Sequence, residues 1–151
     1  MARDRDDDEP AIPALLRAAR GAYGRAIQAR LAAAGFDDLP RNGPFVLGGM
    51  ANRGASAGDL VRQLGVSKQA AGQLIDVLAL RGYLERRPDP EDRRRMTIVL
   101  TERGRAAAAA VRAGVMEVDG ELASRLTATQ LAAFRTGLVE LCAIREAAEA
   151  A

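Results

Sequence analysis

Three consecutive arginines, Arg93-Arg94-Arg95, follow Asp92 in a turn that opens with Pro88-Asp89-Pro90. Upstream, Ser67-Lys68-Gln69 begins a helical pattern in which Gln73 falls one turn after Gln69. Free backbone amides and the positive end of the dipole favour a phosphate at a helix N-terminus, so Ser67 is placed to cap and Lys68 to meet that phosphate. Carboxamides at Gln69 and Gln73 match the N6/N7 edge of adenine. A guanidinium from the arginine run fits the narrow minor groove of an A·T-rich stretch, where negative potential is concentrated. Asp92, two residues before Arg94, is placed to hold that guanidinium in one orientation. Taken singly, the helix face also reads as a solvated surface with a tolerated Gly72, and the turn as a solvated hairpin of mixed charge.

The elements that must position these groups follow in order. The helix from Ser67 to Arg81-Gly82 turns Ala71, Leu74, Ile75 and Leu78 inward and Gln69, Gly72, Gln73 and Asp76 outward. Two extended runs, Tyr83 to Arg87 and Met96 to Leu100, flank the turn Pro88 to Arg95. Before them, Ser56-Ala57-Gly58-Asp59 reads as a capping box for a short helix with Leu60, Val61 and Leu64. Gly65 closes that helix, and Val66 is expected to plug the corner. A tight helix-turn-helix followed by a basic hairpin is the pattern of a winged helix-turn-helix, which puts a helix in the DNA major groove and a β-loop against the neighbouring backbone. Charge agrees: residues 53 to 105 hold eleven Lys/Arg against seven Asp/Glu, whereas residues 106 to 151 hold four against six.

Further helices flank this module. Leu16, Ala19, Tyr23, Ile27 and Leu31 recur at spacings of three and four, an amphipathic helix from Pro13 that ends near Gly35. Asp38 to Pro44 is a break, and a short helix spans Phe45 to Ala51. Thr101 caps a long helix to about Leu126, with Val111, Val115, Val118 and Leu122 on one stripe. Thr127-Ala128-Thr129-Gln130 is a capping box for a last helix carrying Leu131, Phe134, Leu138 and Leu141. These stripes call for a partner, most simply another copy.

Composition narrows the function classes. At 151 residues, 48% apolar and 3% aromatic, the chain reads as one mainly helical domain. With no histidine and a single cysteine, Cys142, the usual zinc sites and His-based triads have nothing to build from, so no enzyme activity, metal or cofactor is expected. No run of eighteen apolar residues or basic leader is present, so a cytoplasmic protein without a membrane partner is expected. Residues 1–10 read as a charged, disordered tail.

From about Leu15 to Leu141 the chain resembles the MarR family of bacterial transcription regulators. The resemblance is densest in Leu64-Gly65-Val66-Ser67, Leu74-Ile75-Asp76-Val77-Leu78, Arg81-Gly82-Tyr83-Leu84-Glu85-Arg86, Asp89-Pro90-Glu91-Asp92-Arg93-Arg94 and Leu100-Thr101-Glu102-Arg103-Gly104. It implies a mainly α fold with a small β-wing, and a homodimer formed by helices in 11–36 and 102–148 around a winged lobe at 40–101. By resemblance, the family's Asp-x-Arg falls on Asp92 and Arg94, which makes Arg94 the minor-groove residue and Arg93 and Arg95 phosphate contacts. The implied function is a repressor that binds a pseudo-palindromic site on double-stranded DNA and is relieved by a small molecule or other signal. Tyr23, Phe45 and Phe134 would line a cleft for a small aromatic ligand. Ala70, Gly72 and Gln73 stand where family members often have Arg or Thr, which implies fewer base contacts and a different operator. Two alternatives stay open: a redox-responsive regulator acting through Cys142, and a winged-helix interaction module without DNA binding.

Overall fold

The computed structural model describes residues 9–53 and 56–150. Most of the expected charged tail, residues 1–8, lies outside them. Six helices and a two-stranded antiparallel sheet follow in the order α1 (Ile12–Ala33), α2 (Gly43–Arg53), α3 (Ala57–Gln63), α4 (Lys68–Leu80), β1 (Leu84–Pro88), β2 (Met96–Leu100), α5 (Glu102–Arg125) and α6 (Ala128–Glu149). The expected mainly helical fold with a small wing is the observed one. The chain packs as two units, one reaching to Val115 and one from Met116 onward.

Capping chemistry sets several of these boundaries. The Ser56 hydroxyl accepts from the Asp59 amide at 3.1 Å and the Ser67 hydroxyl from the Ala70 amide at 3.2 Å, so each short helix starts on a side-chain cap. Thr127 and Gln130 form the full reciprocal box ahead of α6. Pro44 lies in the first turn of α2, where a missing N–H costs nothing, so the expected break ends sooner than proposed. At the end of α4, Gly82 takes φ 76°. That left-handed turn lets the Tyr83 amide donate back to the Leu78 carbonyl at 2.9 Å, with both side chains fully buried. Tyr83 therefore belongs to the helix ending, and the first strand begins one residue later than its sequence pattern indicates.

The first unit has one core. Leu31 from α1, Val46 and Leu47 from α2, Leu60 from α3, Leu78 from α4, Tyr83, and Ala107 from α5 are all at most 1% exposed. Ile75 and Leu78 face inward on α4 as expected, with Ala71 and Leu74 half-buried beside them. Val66 does not plug the helix-turn-helix corner: it is 38% exposed, whereas Leu60 and Val61 of α3 are buried. The alanine-rich start of α5, not its valines alone, makes the contact surface. Gly104, Ala107, Ala108, Val111 and Gly114 are its buried residues, and their small side chains let other backbones come close. A Cβ on Gly114 would stand 2.6 Å from the Cα of Ile27.

In the second unit no residue of α6 is buried, and Phe134, Val139, Leu141 and Ile144 are exposed. The first ten residues of α1's segment, 11–20, are exposed as well, including Ile12, Leu15 and Leu16.

A Cβ on Gly104 would overlap the Tyr83 carbonyl oxygen, a backbone atom that cannot swing aside. Gly104→Ala is therefore expected to lower stability by about 2–3 kcal/mol despite alanine's better helix propensity. Urea unfolding checks this as a fall in midpoint at unchanged slope.

Candidate nucleic-acid interface

The outer face of α4 carries Gln69, Gly72, Gln73 and Asp76, all exposed as expected. Lys68 is the first helical residue after the Ser67 cap, and it too is exposed. The hairpin pairs Leu84 with Leu100 at its base and Pro88 with Met96 at its tip. A bridge between Arg86 Nη2 and Asp76 Oδ1, at 2.8 Å, ties the strand to the helix face. Arg87 pairs with Glu85 within β1.

The turn beyond is held by its own main chain. The Asp89 amide donates to the Arg95 carbonyl at 2.8 Å, and the Arg95 amide to the Asp92 carbonyl at 2.9 Å. Asp89 and Asp92 each accept, through Oδ1, the amide two residues on, from Glu91 at 2.9 Å and Arg94 at 3.1 Å. Asp92 thus acts on the Arg94 backbone amide and not on its guanidinium, which corrects the sequence expectation. A carboxylate two residues back along a turn reaches the nearby main-chain donor first. Arg93, Arg94 and Arg95 are exposed, and none of them, nor Lys68, has an ion-pair partner among the described residues.

Sequence reasoning missed the residues that fix this surface from behind. The Tyr83 hydroxyl donates to Asp38 Oδ1, and Arg103 Nη2 donates to the same oxygen at 3.1 Å and to the Tyr83 oxygen at 3.0 Å. The Arg103 guanidinium lies 4.6 Å from the Tyr83 ring centre and 5.4 Å from that of Phe36. Arg81 donates to the Asp38 carbonyl. The Tyr83 hydrogen bond, and after it the charge of Arg103, hold the Asp38 carboxyl below its ordinary 3.8, while burial and then the Asp38 carboxylate push the Tyr83 phenol up. The sequence signals were an aspartate in the first break and an arginine in the first turn of α5, neither diagnostic alone.

A cavity of about 500 Å³ lies within the first unit among α1, α2, α3 and the first part of α5. Tyr23 and Phe45 line it, and Arg20, Arg41, Asn42 and Gln63 bring polar groups to the same space. Phe134 is not part of its lining; it belongs to α6 in the second unit, and its place on an apolar stripe gave no information about distant neighbours. Cys142 is exposed on α6. Among the described residues no helix is long and apolar enough to cross a membrane, and no His, Cys, Asp or Glu cluster could hold a metal.

A model of the MarR family matches residues 37–95, the segment from the loop before α2 to the end of the wing turn. Among solved structures, the MarR family transcription regulator SP03579 is 26% identical, with a TM-score of 0.65 over 92% of this chain and 87% of that one. The Staphylococcus aureus MepR–DNA complex is 20% identical, TM-score 0.69, over 89% of this chain and 98% of that one. MepR bound to ethidium bromide is 19% identical, TM-score 0.57, over 90% and 97%. A comparison with curated protein sequences returns no match.

Tyr83→Phe removes the buried hydroxyl that most lowers the Asp38 pKa and is expected to cost about 1.5 kcal/mol at pH 7. Because the folded pKa of Asp38 lies below its unfolded one, this stabilisation is present above about pH 3.8 and is lost as pH falls through the folded value. The gap between Tyr83→Phe and the parent should then narrow in acid. Chemical unfolding from pH 7 to pH 3 tests this, and a gap independent of pH would refute the ionic role.

Proposed function

We propose, from the MarR family model that matches residues 37–95, that the chain is a winged-helix transcription regulator of that family that binds a pseudo-palindromic DNA site as a homodimer. The observation that carries this reading is the sorting of charge: Arg86 and Arg87 are neutralised within the fold, while Lys68, Arg93, Arg94 and Arg95 are left for an external polyanion. In this reading α4 enters the major groove with Gln69 and Gln73 at base edges. Arg94 enters the minor groove from a turn shaped by Asp92, and Ser67, Lys68, Arg93 and Arg95 hold the backbone. Segments 11–36 and 102–148 supply the dimerisation helices, so that a second copy covers Ile12 and Leu15 of α1 and Val139 and Ile144 of α6, all more than half exposed. Two recognition helices then meet successive major grooves about 34 Å apart.

The MepR structure with ethidium supports extending the reading to a ligand-relieved repressor. The cavity offers the aromatic faces of Tyr23 and Phe45 together with the guanidinium groups of Arg20 and Arg41, a lining suited to a small aromatic molecule with an anionic substituent. No reaction is assigned: the residues of the site recognise charge and base edges.

Selection of bound sequences from a random DNA pool, followed by salt titration on the selected site, tests the proposal. Affinity is expected to fall linearly in log–log form with salt. Arg93→Ala should weaken all sequences alike and reduce that slope by about 1, whereas Arg94→Ala should cost about 10-fold, chiefly on sites A·T-rich under the wing. Salt-independent affinity that survives both substitutions would overturn the proposal.

A further inference from the structure

We propose that Gly72 is a specificity-determining residue: the point where α4 comes closest to the major groove, its missing side chain leaving room for the C5-methyl of a thymine. The inference rests on the DNA-binding reading above. Gly72 sits in the interior of α4, where glycine is less favourable than alanine for want of backbone restraint. Nothing among the described residues requires it. Its backbone is not in the left-handed region, it is exposed, and an added Cβ would meet no atom within 4 Å. By contrast, Gly49, Gly104 and Gly114 each have a side chain or backbone where their Cβ would stand.

Gly24, Gly120 and Gly137 are open too, and Gly24 borders the cavity. Gly72 alone among them lies between two carboxamides. Gln69 is one turn before it, Gln73 is the next residue, and Asp76 follows one turn later, all exposed on the same face. A glutamine bidentate to adenine N6/N7 brings the paired thymine's methyl into the same groove beside it. A helix that presents carboxamides at that depth needs a gap next to them, and Gly72 is that gap. It also explains how so few reading side chains reach base edges: the backbone itself moves in.

The test uses the full-length chain and the site selected by the parent. Gly72→Ala is expected to raise the thermal midpoint by roughly 2–4 °C while losing about tenfold affinity for that site and keeping its affinity for unrelated DNA. Replacing a single thymine of each half-site by deoxyuridine, which deletes only the methyl, should restore most of the loss in Gly72→Ala and weaken the parent. A Gly72→Ala protein that binds the parental site as tightly as the parent overturns the inference and leaves the DNA-binding reading intact. Weakened binding that no deoxyuridine position rescues overturns the thymine assignment. A parent that enriches no sequence overturns both readings together.

Discussion

The hydroxyl of Tyr83 is the group on which the rest of the first unit depends. A fully buried phenol must satisfy its polar atom inside the protein, and here that atom meets one carboxylate oxygen of Asp38 and one guanidinium nitrogen of Arg103. Four stretches of chain therefore converge: the loop after α1, the end of α4 through Arg81, the root of the wing, and the first turn of α5. Thr101 adds to the same joint, donating its hydroxyl to the Gly82 carbonyl at 2.5 Å and its amide to the Tyr83 carbonyl at 3.1 Å. A two-stranded hairpin is marginal by itself. Anchored here, its direction relative to α4 is set by buried contacts and not by the exposed strands.

Charge is partitioned to match. Four arginines of the first unit pair with an acid: Arg62 with Asp59, Arg86 with Asp76, Arg87 with Glu85, Arg103 with Asp38. Such exposed pairs contribute little stability, so their main effect is to fix side-chain positions and cancel repulsion among closely spaced arginines. The wing-tip arginines have no such partner among the described residues, although three acids, Asp89, Glu91 and Asp92, share their turn. Two of those carboxylates are occupied by main-chain amides and shape the turn without neutralising it.

Much of this was legible in the sequence because it is local. The spacing of Ala71, Leu74, Ile75 and Leu78 gives the inward face of α4, the Ser and Thr caps give helix starts, and the strand Met96–Leu100 is read to the residue. What was not legible depends on tertiary distance or on atomic choice. Asp38 is 45 residues from Tyr83 and 65 from Arg103, and no periodicity links them. Ala107 and Ala108 look like propensity filler and prove to be core, since smallness acquires meaning only beside a close backbone. Asp92 was placed in the right turn but matched to the wrong donor of the right residue.

The loop between α1 and α2 joins these two kinds of site. Arg41 and Asn42 line the cavity, and Asp38, three and four residues earlier in the same short segment, holds the root of the wing and the end of α4. Both ends of that segment run into packed helices and its middle is tied to Arg81, Tyr83 and Arg103 by hydrogen bonds, so the wall of the cavity and the root of the wing share one short, restrained stretch of chain.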